Sequence, residues 1–341
     1  MRLQQWIRPR DNPVRWKLVT GSRPVCRYGR PHHVPGTLRG NSILSATPRY
    51  SPLDSLHDAN IDRFRERYFK PELPVILPRG YFRDLPACDR WFARTSASPN
   101  ANHNNNGSRL NYEYLGRFGD AFVPLELTQL SPGSNPAESS DASFQRFHAP
   151  LSLFLEWTRS TQTQTQSSRL YLAQCKLLDL PQALRDDLPT PSLVSKAGRG
   201  DIYDTNVWIG IPPTYTPLHR DPNPNLFVQL AGEKRVRLHA PDVGMGVFAR
   251  VRQELGQAAS HDAAVFRGDE MMQGKERMLL EKAVWGDDEA SAVDSASSDG
   301  YQEGYEAHLE AGDGLFIPKG WWHSVKGVGT GFTGSVNWWF R

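Results

Sequence analysis

The second half of the chain constrains the fold most. From residue 168 onward it carries eight short runs rich in β-branched and aromatic residues: "RLYLAQ", "NVWIGI", "NLFVQL", "KRVRLHA", "AHLEA", "GLFIP", "WWHSV" and "SVNWWF". Runs of this length, bounded by Gly, Pro and Asn, suit strands that bury at least one face. They are too closely spaced for a crossover helix between successive runs, which argues against βαβ units and for an antiparallel barrel or jelly roll. The fold class expected is therefore mainly β, with helices on the N-terminal side.

Upstream, the spacing of Ile61, Phe64 and Tyr68 predicts a helix that prolines stop before a strand at "PVIL". A second helix is expected over 87–93, a strand over "DAFVPLELTQL" and a short helix over "APLSLFLEWT". The stretches 96–109, "SPGSNPAESSDAS" and "RSTQTQTQSS" lack periodicity and read as loops or surface insertions. Residues 242–303 read as a long connection whose acidic, Ser-rich end, near 286–304, is a solvated loop. The expected organisation is an arm over 1–50 and one domain over 51–341, with a helical and strand part over 51–167 and a β core over 168–341.

Charge is unevenly placed. The first 51 residues hold ten Lys or Arg against the single acid Asp11, although the whole chain has a formal net charge of only +3. An Arg-rich, acid-poor start resembles a mitochondrial targeting segment, but Pro9 and Pro13 would interrupt the amphipathic helix such a segment needs. A disordered basic arm is the alternative, so the location expected is intracellular and undecided between the mitochondrion and the nucleus or cytoplasm. Without the arm the body is mildly acidic, which argues against a nucleic-acid groove across the whole protein. No apolar run approaches the roughly 18 residues of a membrane span. Cys26, Cys88 and Cys175 are scattered and lack CxxC spacing, which argues against a disulfide framework and a cysteine-ligated zinc site.

The chemistry-bearing stretch is "TPLHRDPNPNLFVQLAGEKRVRL". Side chains two apart on a strand share a face, so His219 and Asp221 can reach one point. A third ligand from a neighbouring strand is offered by His323 in "GDGLFIPKGWWHSV". Two imidazoles and one carboxylate form the facial triad of non-haem Fe(II) oxygenases, which leaves open positions for a bidentate co-substrate and dioxygen. An HxD pair alone reads as readily as an ion pair or as surface residues. Lys234 shifts that balance. If 225–230 and 234–238 pair as a hairpin joined at "AGE", Lys234 lies near the pocket floor, where a buried ammonium needs an anion. The distal carboxylate of 2-oxoglutarate would be that anion.

These two stretches resemble the Jumonji-C, cupin-like 2-oxoglutarate oxygenases. The similarity is greatest to the arginyl hydroxylase group, also described as lysine-demethylase-like, and more distant to the asparaginyl hydroxylase that inhibits hypoxia-inducible factor. It is strong from 169 to 341, weaker from 51 to 158 and absent from the first fifty residues. The resemblance implies a double-stranded β-helix core, with Fe(II) as cofactor and 2-oxoglutarate and dioxygen as co-substrates. It implies His219, Asp221 and His323 as iron ligands, Lys234 as the partner of the 2-oxoglutarate carboxylate, and Thr216 and Tyr171 as hydroxyl donors to it. Asn225 matches the asparagine beside the metal, Asn337 a polar position of the co-substrate pocket, and Trp208 and Trp339 the aromatic walls. Glu126, in "VPLEL", matches a carboxylate that receives the substrate side chain. The separation of His219 from His323 exceeds the family's usual spacing, and the excess falls in the acidic connection. The chain ends at Arg341, just after the last strand expected, so the resemblance does not extend to C-terminal dimerisation helices of the asparaginyl hydroxylase kind.

The activity expected is hydroxylation of a protein side chain, arginine favoured, with release of succinate and CO2. The alternatives within the family are demethylation of N-methyl lysine or arginine and hydroxylation of a tRNA base, the last marked by a basic face at the barrel mouth. A non-catalytic cupin would show a damaged triad or lack the lysine. A cupin enzyme that does not use 2-oxoglutarate would offer more histidines than His261 and His308 can supply. A protein substrate is expected, nucleic acid is not favoured, and the oligomeric state is left open.

Overall fold

The β-runs of the second half close into two sheets with a shared core. A computed structural model describes residues 50–94, 107–129, 143–161, 168–258, 269–286 and 304–341. The readings made of residues 1–49, of most of the 96–109 loop and of the two surface insertions, and of the acidic stretch 287–303 lie outside the described residues; residues 159–161 of the second insertion are the end of a helix.

The smaller sheet has the order β1 (Tyr50–Pro52), β12 (Gly304–Leu309), β11 (Glu233–His239), β14 (Trp322–Val328) and β9 (Thr214–Arg220). The larger has the order β2 (Val75–Ile76), β13 (Gly314–Ile317), β10 (Asn225–Ala231), β15 (Thr333–Phe340), β8 (Ile202–Gly210), β7 (Ser168–Lys176), β5 (Phe122–Gln129) and β6 (Ser143–Pro150). A short pair, β3 (Phe92–Arg94) and β4 (Ser108–Leu110), stands apart. Pairing within the two main sheets is antiparallel except for β1 with β12. This is the jelly-roll core expected of a mainly β chain.

Alternation of side chains assigns the layers. Phe227, Leu315 and Ile317 from the larger sheet meet Val236, Leu238 and Ala307 from the smaller one in a dry cluster between them. The larger sheet's opposite face, through Leu226, Val228, Val336 and Trp338, packs on the first set of helices. These are α1 (Ile61–Phe64), α2 (Pro86–Arg90), α3 (Tyr112–Gly116), α4 (Leu151–Thr161), α5 (Gln182–Asp186) and α6 (Ser192–Ala197). On the outer face of the smaller sheet, Leu218 and Trp322 pack beneath α7 (Pro241–Glu254) and α8 (Gly274–Trp285). Among the described residues no helix is long and apolar enough to cross a membrane, and Cys88 and Cys175 carry no disulfide.

Four expectations need correction. First, β10 and β11 are not a hairpin. β10 pairs with β13 and β15, while β11 pairs with β12 and β14. The "AGE" segment is a corner that carries the chain from one sheet to the other. Gly232 makes it possible: its φ is +65°, and a Cβ there would collide with the carbonyl oxygen of Phe332. Second, the helix over 87–93 stops at Arg90, because Phe92 enters β3 and buries against the core. Third, the connection over 242–303 contains α7 and α8. Gly244 and Gly246 depress the helical signal of "PDVGMGVFARVRQE", yet Gly244 is where α7 touches the Trp322 ring, and no side chain would fit there. Fourth, the helix expected over "APLSLFLEWT" starts only at Leu151, because Ala149 and Pro150 end β6, an edge strand whose "SFQRFHAP" has largely exposed polar side chains and lacks an apolar face to read.

Candidate metal centre and co-substrate pocket

His219 and His323 are brought together by register. β9 and β14 pair antiparallel with His219 directly opposite His323, and the ring centroids lie 4.2 Å apart. Asp221 lies just beyond the last residue of β9, so the end of the strand presents both members of the HxD pair. One ligand atom from each of His219, Asp221 and His323 can be chosen so that all lie within 4.8 Å of one another. His323 and Asp221 are buried, at 3% and 8% exposure, and their closest approach is 3.7 Å from Nε2 to Oδ2.

The surroundings fix which atoms face inward. His219 Nδ1 lies 2.8 Å from the Pro217 carbonyl oxygen and His323 Nδ1 lies 3.2 Å from that of Trp321. A carbonyl only accepts, so each Nδ1 carries the proton and each Nε2 carries the lone pair. Asn225, opposite Trp339 on the β10–β15 ladder, donates from Nδ2 to Asp221 Oδ2 at 2.9 Å and fixes the carboxylate. Oriented imidazoles and a tethered carboxylate are the donor set for a divalent first-row metal.

Beside this centre is a cavity of about 290 Å³ lined by Tyr171, Trp208, Thr216, His219, Asp221 and Trp339 among others. That volume is small for an organic ligand site, and suits a small dicarboxylate with the end of one side chain. Lys234, 3% exposed, stands behind the lining and donates from Nζ to Ser335 Oγ at 2.7 Å and to Tyr171 Oη at 3.4 Å. Burial pulls its pKa down to about 7. Burial, helped by the nearby Glu126 charge, pushes the Tyr171 hydroxyl up, so it remains a donor. Trp208 Nε1 donates to Asn337 Oδ1 at 2.7 Å. Among the described residues Asn337 Nδ2 and Trp339 Nε1 are buried donors without an acceptor. A cation, hydroxyls and buried N–H donors fit a bound dianion.

Glu126 also lines the cavity, 5% exposed, on β5 opposite Tyr171. Its carboxylate is engaged by Arg146 from β6, at 2.5 Å from Nη2 and 3.2 Å from Nε. The structure thus gathers all eleven residues singled out in the sequence around one end of the sandwich, and it gives Glu126 an arginine of its own chain. Ser335 and Arg146 escaped the sequence reading. Ser335 could have been found from Asn337 and Trp339, since 335, 337 and 339 share one face of β15. Arg146 lies in the strand that could not be read.

A sandwich of antiparallel sheets with two histidines and an aspartate brought together defines a cupin with a candidate metal centre. Comparison with known families matches residues 61–341 to the Cupin-like domain, and the chain belongs to that family. It is similar to "Lysine-specific demethylase JMJ30" of Arabidopsis thaliana, 27% identical over 82% of this chain and 53% of the relative. It is also similar to "Jumonji C domain-containing protein 5" of Drosophila melanogaster, 25% identical over 84% of this chain and 59% of the relative. A third is "Lysine-specific demethylase 8" of Xenopus tropicalis, 24% identical over 84% of this chain and 52% of the relative. The chain therefore spans a little over half the length of these relatives. The resemblance to the cupin-like Jumonji-C proteins read in the sequence is borne out by these matches.

Proposed function

We propose that this protein is an Fe(II)- and 2-oxoglutarate-dependent dioxygenase that hydroxylates a side chain of a protein substrate. The observation that carries the reading is the convergence of His219, Asp221 and His323 next to a buried lysine. Bound iron and 2-oxoglutarate would supply oxidation of a C–H bond to C–OH by dioxygen, the co-substrate leaving as succinate and CO2.

The chain's own groups divide the remaining work. His219 and His323 offer Nε2 and Asp221 a carboxylate oxygen, a donor set that would hold a divalent metal and leave room beside it for a co-substrate. Asn225 keeps Asp221 turned inward. The Lys234 ammonium, with the hydroxyls of Tyr171, Thr216 and Ser335, receives the distal carboxylate of the co-substrate. Trp208 and Trp339 wall the site and exclude water, with Asn337 held against Trp208.

The target side chain has two readings. Glu126 at the cavity favours arginine, with the condition that Arg146 moves aside when a substrate guanidinium arrives. The names of two relatives, lysine-specific demethylases, favour oxidation of an N-methyl group followed by loss of formaldehyde. Incubation with iron, 2-oxoglutarate and a proteome-derived peptide pool, read by mass spectrometry, separates them. A gain of one oxygen on arginine supports the first and a loss of methyl the second. Succinate formation that no peptide stimulates would count against both.

A further inference from the structure

The mouth of the same cavity carries charge that neither the metal centre nor the co-substrate site uses. Arg146, Arg169, Arg220 and Arg277 line it, against two carboxylates among the described residues, Glu126 and Asp221. Arg146 is committed to Glu126, and Arg220 lies over the Trp322 ring at 5.5 Å. Arg169, at the start of β7, donates to the Pro213 carbonyl at 3.2 Å, and among the described residues no carboxylate lies within ion-pair distance of it. Arg277, on α8, approaches Glu281 at 3.6 Å and lies over Tyr215 at 4.8 Å. That same Glu281 holds Lys326 at 3.0 Å, so one carboxylate serves two cations.

Burial, and after it the charge of Arg277, pulls the Arg169 pKa down, with Glu281 opposing. Like charges held together in a half-buried place are costly unless an anion joins them. A divalent metal, Asp221, a dicarboxylate and Lys234 cancel one another in charge. Filling the inner site therefore leaves the positive excess at the mouth intact.

We propose that this mouth selects a protein segment with an acidic side chain flanking the oxidised residue, and that Arg169 and Arg277 hold its carboxylate. The inference rests on the oxygenase reading of the inner site and adds the charge class of its substrate. A guanidinium fork matches a carboxylate in geometry as well as charge. A peptide fits better than a nucleic acid. Beyond residue 51 the chain holds 30 Lys or Arg and 36 Asp or Glu, the whole-chain 40 and 37 less the ten and one of the first 51 residues. The arginines are thus a local spot on an acidic body, with no composition-level excess to track a phosphate backbone.

The test uses the whole chain loaded with Mn(II) and 2-oxoglutarate under nitrogen, which fills the inner site without turnover. Three fluorescent probes are compared by anisotropy: randomised peptides flanked by Asp and Glu, a matched pool flanked by Lys and Arg, and a 20-nucleotide RNA. The acidic pool should bind at least tenfold more tightly than the basic one. Arg169→Glu and Arg277→Glu should each remove that preference, and Arg277→Lys should keep most of it, which separates lost charge from lost folding. Equal or tighter binding of the basic pool would overturn the proposal, as would acidic binding that survives both charge reversals. RNA that binds more tightly than the acidic pool and is lost in the same variants would replace the peptide by a nucleic acid. Calorimetry of 2-oxoglutarate with the Mn(II) protein runs alongside. Its failure would sink the oxygenase reading, while the pool comparison still decides the charge of the mouth.

Discussion

Asn225 Nδ2 donates to Asp221 Oδ2 at 2.9 Å, and this one bond tethers the candidate carboxylate ligand, which lies just past the end of its strand. Removal of such a support typically weakens metal binding by about 10–100-fold. Asn225→Ala should therefore weaken Mn(II) binding by roughly that factor, read by titration with electron paramagnetic resonance. His219→Ala should abolish it. Unchanged affinity in Asn225→Ala would remove the residue from any role in orienting the metal.

Gly210 ends β8 directly beneath Tyr171, and a Cβ there would stand inside the Tyr171 ring. Gly210→Ala should displace the tyrosine and with it the hydroxyl beside Lys234 Nζ. Overpacking of this kind costs about 1–3 kcal/mol of stability. The expected result is a loss of 2-oxoglutarate affinity with Mn(II) binding retained, measured by calorimetry on protein confirmed as folded. A loss of both in equal proportion would indicate general damage.

Lys234 gives the co-substrate site a pH dependence. Its pKa is lowered by burial to about 7. The free protein therefore holds the ammonium below that pH and has largely lost it above, whereas 2-oxoglutarate is a dianion throughout. Binding above pH 7 must take up a proton, so affinity should fall as pH rises, by about tenfold per unit until the pKa of the bound state is passed. The sign for folding is the opposite: between about 7 and the ordinary 10.5 the unfolded chain holds a proton that the folded one lacks, so ligand-free stability rises with pH across that window. Isothermal titration in buffers of different ionisation enthalpy measures the proton uptake directly. Affinity flat from pH 6.5 to 8.5 would contradict the assignment.

How much of this could be read in advance depends on what each residue's signal was. His219, Asp221 and His323 were legible because the alternation of a strand puts 219 and 221 on one side and the register of β9 with β14 supplies the third. Lys234 was legible as a buried lysine beside the candidate centre, but by a wrong intermediate: the two runs around it belong to different sheets, with the positive φ of Gly232 at the corner. α7 and α8 were invisible because their glycines and mixed faces weaken the helical pattern, while the packing of Leu218, Trp322 and Trp285 that holds them is entirely tertiary. Arg146 could not be foreseen as the partner of Glu126, since that pairing depends on the register of an edge strand without an apolar face.

The central claim is that His219, Asp221 and His323 hold iron in a geometry open to 2-oxoglutarate. It is tested most directly by anaerobic titration of the purified protein with Fe(II) and 2-oxoglutarate, followed by visible absorption. The account predicts a metal-to-ligand charge-transfer band that saturates at one equivalent of each and is missing from His219→Ala. Folded protein that shows no band, or a band that persists undiminished in His219→Ala, would contradict it.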